Sequence, residues 1–506
     1  MSTEVFDVII VGGGLSGIGS ACHLERNCPG KTYTILEGRE SVGGTWDLFR
    51  YPGIRSDSDM HTLGYSFKPW TQAKAIADGP SILEYIKETA AEYGIEDHIR
   101  LQHRVESASW SEEDSVWEVK VRKGAAGEEV CMRGRFVLMC AGYYNYDEGF
   151  TPDFAGRDQF EGQIVHPQHW PEDLDYEGKR VVVIGSGATA MTLVPSLAEK
   201  AGHVVMLQRS PTYVASRPDV DAVANFLRRV LPERWAYALT RWKNITMQQW
   251  FYRQARTSPE RARDALLKRA QDGLGEDYDI DPHFTPRYNP WDQRLCLIPN
   301  GDLFKAIRSK RVSVVTEALE AFTREGLRLK SGETLEADII VTATGLNLAV
   351  FGGVQFYVKG ERVDLSKSVS YKGIMCTGLP NVVGIFGYIN ASWTLRSDLI
   401  AEYFCRLIQH MDARGDTSVV PSISDEERER ASLPWIQDFS AGYIERAIGI
   451  YPKQGEREPW VNPQNFKRDR VMFLQGELED EALTFGNPKA VGSRADGEAS
   501  PLKAAG

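Results

Sequence analysis

The chain has 506 residues, 25% of them charged and 10% aromatic, with a formal net charge of -11. At about 150 residues per domain this makes roughly three folding units, and the acidic balance argues against a nucleic-acid partner. No apolar run approaches the ~20 residues that span a bilayer. The seven cysteines are scattered without a C-x-x-C pair, so no metal site or disulfide framework is expected and a reducing cytoplasm is the simplest compartment.

The first seven residues carry acids and no basic stretch, so they do not read as a secretory signal. Phe6 to Val11 is a β-branched run that predicts a buried parallel strand. Gly12-Gly13-Gly14-Leu15-Ser16-Gly17 follows, then a helical stretch through Glu25. In that pattern Gly12 makes the tight turn, Gly14 lets a phosphate approach the backbone, and Gly17 lets helix and strand pack closely. A pyrophosphate would sit on the unpaired N–H groups of the helix N-terminus. Tyr33 to Leu36 predicts a second strand, ending in Glu37, 20 residues after Gly17. That offset suits an acid on an adenosine ribose. The alternative is a glycine turn without ligand. Gly43-Gly44-Thr45-Trp46 is a second close-approach glycine pair, and residues 41–60 hold no cysteine, which argues against a thiol relay.

A second nucleotide fold follows. Arg180 to Ile184 repeats the strand and Gly185-Ser186-Gly187-Ala188-Thr189-Ala190 repeats the turn, with alanine in the third place. The next strand, Val204 to Leu207, ends in Gln208-Arg209-Ser210 rather than an acid. A guanidinium grips a 2′-phosphate that an acid would repel, so Arg209 favours NADPH over NADH. The alternative is a solvated surface arginine. Residues 216–285 lack glycine-rich strands and carry a basic, aromatic, helix-like stretch. Its plainer reading is a surface helical layer. Its functional reading is a subdomain at the substrate entrance that makes peripheral contact with a membrane. Leu335 to Gly345 predicts another apolar strand, ending in Ala343-Thr344-Gly345. Residues 425–430 predict a solvated helix face, and a tail from 486 to 506, rich in small residues, reads as disordered.

Between the two folds, Phe160, Gly162, His166, Trp170 and Pro171 stand in the spacing F-x-G-x-x-x-H-x-x-x-W-P. Gly43, Gly44, Trp46, Tyr51, Pro52, Gly53 and Asp57 fit a second pattern. On these motifs the chain, to about residue 485, resembles the Baeyer–Villiger monooxygenases, and it is similar to them also across residues 143–149, 288–297 and 387–394. Flavin monooxygenases of the N- and S-oxidising type usually lack the Trp170-Pro171 pair.

The resemblance implies an α/β fold with two Rossmann-like dinucleotide-binding domains and a helical insertion. Residues 1–142 with 380–485 would bind FAD. Residues 150–215 with 286–380 would bind NADPH, and 216–285 would be the insertion. The resemblance matches Ser16, Glu37, Thr45, Trp46, Asp47, Leu48, Asp57 and Val105 to FAD contacts. It matches Arg55, Ser56 and Asp57 to the nicotinamide side. Gly185, Ser186, Gly187, Ala188, Thr189, Ala190 and Met191, with Arg209 and Ser210, match the NADPH phosphate and ribose contacts. Arg294 matches the catalytic arginine, with Asp57 as its partner. The alternatives are a structural ion pair for Arg294 and a turn-capping role for Asp57. His166 is expected to link the domains rather than to react. Many relatives carry lysine before the catalytic arginine, where this chain has Gln293, which leaves Arg209 as the main coenzyme selector.

The implied activity is insertion of one oxygen atom of O2 into a ketone through a C4a-peroxyflavin, giving an ester or lactone, with oxidation of sulfides or thioamides alongside. The alternatives are a flavin monooxygenase acting mainly on nitrogen or sulfur, and an uncoupled NADPH oxidase.

Overall fold

A computed structural model describes residues 4–437 and 439–487. Val5–Val11 lies inside a nine-stranded sheet, paired in parallel with Tyr33–Leu36 on one side and Glu128–Met139 on the other. Its side chains alternate between two apolar layers. Val8 and Ile10 face the helices Leu15–Asn27 and Trp393–Arg414, whereas Ile9 and Val11 pack with Trp117 and Phe356. The meander of His103–Ser111, Val116–Lys123 and Glu128–Met139 supplies the antiparallel part of this sheet.

The second sheet is wholly parallel, in the order Val312–Thr316, His203–Gln208, Arg180–Ile184, Ile339–Thr342, Gln163–Val165. Val181 and Val183 face the helix Ala188–Leu197. Val182 and Ile184 face Phe160, Phe322 and Leu327. Burial on both faces explains why its central strand reads as an unbroken valine run.

Two passages connect the sheets. Tyr144–Gly149 leads out of the first sheet and Leu346–Leu348 leads back from the second, and they pair antiparallel as a ribbon. The chain then rejoins the first sheet at Gln355–Val358, which pairs in parallel with His103–Ser111. This corrects the expected boundary at 380, since residues 355–358 already belong with the first sheet.

Residues 216–285 hold the helices Ala222–Val230, Glu233–Thr257, Pro259–Leu274 and Asp281–Phe284. They leave and return side by side, because Val214–Arg217 pairs in parallel with Cys296–Pro299. Asp425–Arg430 is an exposed helix closed by an Arg430–Glu426 ion pair at 2.7 Å. Gly486 ends the strand Leu483–Gly486, paired with Ser418–Pro421. It therefore belongs to a sheet rather than to the expected tail, whose residues 488–506 lie outside the described residues. Among the described residues no helix is long and apolar enough to cross a membrane.

Candidate active site

Both glycine loops face one cleft with a cavity volume of about 1490 Å³. In the first loop Gly12 has φ +108°, and a Cβ there would lie 2.6 Å from the carbonyl oxygen of Cys140. A Cβ on Gly17 would lie 1.9 Å from the Gly12 oxygen. Only glycine therefore lets strand, loop and helix approach this closely. The helix Leu15–Asn27 begins at Gly14 without a side-chain cap, and Ala188–Leu197 begins at Gly187 in the same way. Each leaves first-turn N–H groups without a side-chain acceptor, the geometry that receives an anion.

Glu37 folds over the first loop. Its two carboxylate oxygens accept the N–H groups of Gly13 at 2.7 Å and Arg39 at 2.9 Å. Burial pushes its pKa up, while those two N–H groups pull it back. Gly43 and Gly44 both have positive φ, and the short helix Thr45–Leu48 starts from them against Gly14. Thr45 Oγ1 lies 3.3 Å from the hydroxyl of Tyr146.

Arg294 reaches the cleft from the loop before Cys296–Pro299. Its Nε donates to Asp57 Oδ2 at 3.1 Å, one terminal nitrogen donates to the same oxygen, and the other donates to the carbonyl of Ile389 at 2.8 Å. Ile389 is itself held by Gln464, whose side-chain oxygen accepts its N–H at 3.1 Å. Burial works against the guanidinium charge, but the Asp57 carboxylate beside it leads the groups that offset this, so its pKa lies above the ordinary arginine value. The group is a fixed cation at any working pH. The thiol of neighbouring Cys296 is pushed up to about 12 by burial and stays neutral.

Most residues singled out from the sequence converge here. Gly12, Gly14, Ser16, Glu37, Gly44, Thr45, Trp46, Leu48, Arg55, Ser56, Asp57 and Val105 line the cleft from the first side. Gly185, Ser186, Gly187, Ala188, Thr189, Arg209, Ser210 and Arg294 line it from the second. Four do not. Gly17 packs under its own loop, and Ala190 and Met191 are buried beneath the second loop. Asp47 is buried and pairs with Arg39 at 2.6 Å and Arg50 at 3.1 Å. Arg55 is engaged by Asp302 at 2.5 Å.

The residues of the F-x-G-x-x-x-H-x-x-x-W-P spacing also stay off the cleft. Phe160 and Trp170 fill opposite layers of the second sheet. A Cβ on Gly162 would lie 2.4 Å from the Asp338 oxygen, and the Pro171 carbonyl closes a turn to Leu174. His166 accepts the Gln168 N–H on Nδ1 at 3.2 Å and its Nε2 lies 3.2 Å from the Gly345 oxygen. The ring covers Gly149, where a Cβ would fall 1.9 Å from its Cε1. His166 thus clamps the two-stranded ribbon that joins the sheets. Burial lowers its pKa, outweighing the Gly345 contact.

Residues 6–260 match the family described as flavin-binding monooxygenase-like. The FAD-containing monooxygenase EthA of Mycobacterium tuberculosis is 53% identical over 494 residues, which cover 97% of this chain and 100% of EthA. The chain belongs to the flavin-binding monooxygenase-like family. A probable FAD-binding monooxygenase, AlmA of Acinetobacter baylyi, is 48% identical over 480 residues, covering 95% of this chain and 96% of AlmA. Among solved structures, an oxidized steroid monooxygenase bound to NADP has the same fold. Its TM-score is 0.77 at 22% identity, over 95% of this chain and 99% of that one. The open structure of cyclohexanone monooxygenase gives 0.74 at 19%, over 96% and 100%.

In this monooxygenase the cleft residues that sequence reasoning missed are mainly aromatic. Tyr143 and Tyr144 share a hydroxyl contact of 2.7 Å beside Arg294. Tyr143 stacks on Trp393 at 5.2 Å, and Trp393 Nε1 donates to Ser16 Oγ at 2.8 Å. Tyr443 lines the same wall. Burial holds the Tyr143, Tyr144 and Tyr443 phenols neutral. No spacing rule marks them. Their one signal is the aromatic density of 143–146 and 386–393.

Proposed function

We propose that this monooxygenase uses FAD and NADPH to insert one atom of O2 into ketones, giving esters or lactones, and that the same cleft oxidises sulfides or thioamides. The overall balance is ketone, O2, NADPH and a proton to ester, NADP+ and water. The reading rests above all on Arg294: a fixed cation, paired with Asp57, in the cleft that both uncapped helix N-termini face.

The chain's own groups divide the work. The first loop, Glu37 and the glycine pair at 43–44 hold FAD, with Thr45, Trp46, Leu48 and Val105 along it. The second loop with Arg209 and Ser210 holds the phosphates and ribose of NADPH, and Arg55 and Ser56 flank its nicotinamide. The first sheet with the Trp393–Arg414 helix forms the FAD-binding part, and the second sheet forms the NADP-binding part. When bound, the reduced flavin supplies activated oxygen. Arg294 stabilises the negative charge that develops where that oxygen meets the carbonyl, and being fixed beforehand it needs no reorganisation. Asp57 orients Arg294 through its forked contact. The neutral phenols of Tyr143, Tyr144 and Tyr443 keep bulk water off the reacting carbon, which strengthens every charge interaction inside.

The test is product analysis by gas chromatography, with purified protein, NADPH, a simple cyclic ketone and a simple sulfide. Ester and sulfoxide together are expected. Sulfoxide without ester would replace the reading with a sulfur- or nitrogen-oxidising monooxygenase. Hydrogen peroxide in stoichiometric amount, with neither product, would make the protein an NADPH oxidase.

A further inference from the structure

Among the described residues, large apolar side chains are left in solvent unevenly. Val223, Phe226, Val230, Trp235, Leu239, Trp242, Met247, Trp250 and Phe251 are all exposed, and they sit on just two consecutive helices, Ala222–Val230 and Glu233–Thr257. The three tryptophans are 55–67% exposed. Val223, Phe226 and Val230 are spaced i, i+3, i+7 on the first helix. Trp235, Leu239 and Trp242 are spaced i, i+4, i+7 on the second, with Trp250 two turns further along. Such spacing puts each set on one face.

The opposite face of the long helix is firmly seated. Tyr237 donates to the Tyr65 carbonyl at 2.8 Å, and Arg241 donates to the carbonyls of His61 at 3.0 Å and Gly64 at 2.8 Å. Lys243 binds Asp221 at 2.7 Å, and Asn244 binds Asp59 at 2.9 Å. Among the described residues, then, the long helix is already packed on its own chain through its other side. Residues 222–257 carry seven arginines and lysines against one acid, Glu233, in a chain whose net charge is -11. Arg229, Arg234 and Arg253 are exposed beside the aromatic rows.

We infer that these two helices form a peripheral docking face for an anionic lipid bilayer. Tryptophan bodies partition at the boundary between headgroups and chains, and arginine stems lie along apolar surface while their charged ends meet lipid phosphates. A second copy of this chain is the poorer occupant. A two-fold interface sets the same patch against itself, so a face carrying the positive charge of Arg229, Arg234 and Arg253 would meet an equally positive one. The contact is superficial, since no described helix can span a membrane. On another flank of the long helix, Tyr252 packs on Trp291 at 5.4 Å and Arg256 binds Asp292 at 2.7 Å. The docking face thus adjoins the loop that carries Arg294, and apolar substrates dissolved in the bilayer would meet the protein on that side.

The experiment is cosedimentation of the holoenzyme with vesicles of equal phosphatidylglycerol and phosphatidylcholine, with phosphatidylcholine vesicles, and with the anionic vesicles in high salt. Two triple variants are compared, Trp235→Ser with Trp242→Ser and Trp250→Ser, and Arg229→Glu with Arg234→Glu and Arg253→Glu. Bound-flavin absorbance and NADPH oxidation with a soluble substrate confirm that each is folded. The wild type is expected to bind anionic vesicles and to lose at least about tenfold in affinity on neutral ones, in high salt and in either variant. A wild type that stays in the supernatant, or variants that sediment as it does, would overturn the inference. So would a concentration-dependent dimer, lost in the tryptophan variant, without vesicle binding.

Discussion

The two glycine loops share a turn but differ in their surroundings. In the first, Leu15, Ser16 and Gly17 are buried, Glu37 closes over the Gly13 N–H, and Trp393 reaches across to Ser16. In the second, Gly187, Ala188, Arg209 and Ser210 are exposed, and a Cβ at Gly187 would meet nothing within 4 Å. One loop is enclosed on every side but the cleft. The other is open and bordered by a solvent-facing cation. Enclosure slows departure and openness permits exchange, so on the proposed reading the same local pattern suits a retained prosthetic group in one place and a dissociable coenzyme in the other.

Substitution of one glycine in each loop tests that difference most severely. Gly17→Ala drives a Cβ into the Gly12 carbonyl and is expected to abolish folding or flavin retention, read by yield and absorbance. Gly187→Ala is expected to give folded, yellow protein with a raised KM for NADPH. If both variants kept their flavin equally well, the contrast in enclosure would carry no weight. A smaller effect is expected at Arg209. Its replacement by alanine would remove the charged contact proposed for the 2′-phosphate and raise the KM for NADPH about 10- to 100-fold, with the KM for NADH unchanged. Equal losses for both coenzymes would assign Arg209 a structural task.

The smallest effect concerns the ribbon between the loops. Burial lowers the His166 pKa from its ordinary 6.5, so as pH falls the unfolded chain takes up this proton first. That part of the stability is whole above about pH 6.5 and is lost progressively as pH drops toward the lower folded value. Buried His61 and half-buried His283 are shifted the same way and act in the same sense. The wild-type Tm should therefore fall below pH 6.5, and His166→Asn should make the fall shallower by a few degrees at most. Parallel curves would remove His166 from the account.

Each strand–loop–helix unit was legible because its cues are local: a β-branched run, glycines at fixed offsets, and Glu37 or Arg209 at the end of the next strand. The family could be read too, from the motif spacings. What depends on distant pairing was harder. Gln355–Val358 gave no warning that it returns to the first sheet, because its partner, His103–Ser111, lies far back in the chain. Arg294 and Asp57 are 237 residues apart, and only the resemblance suggested the pair. Asp47 was matched to FAD by the resemblance alone, and no spacing announced its pairing with Arg39 and Arg50. Tyr143, Tyr443 and Trp393 carry no periodic mark at all, since a wall built from three separate segments has no sequence spacing.

The account turns on Arg294 acting in oxygen transfer rather than in holding the fold or the coenzyme. The direct measurement follows two events in the same preparation of wild type and Arg294→Ala, the anaerobic bleaching of the flavin by NADPH and the ester formed from a ketone in air. The account predicts bleaching at nearly the wild-type rate and ester formation down by about 100- to 1000-fold. Ester yield close to wild type, or bleaching lost in step with it, would contradict the account.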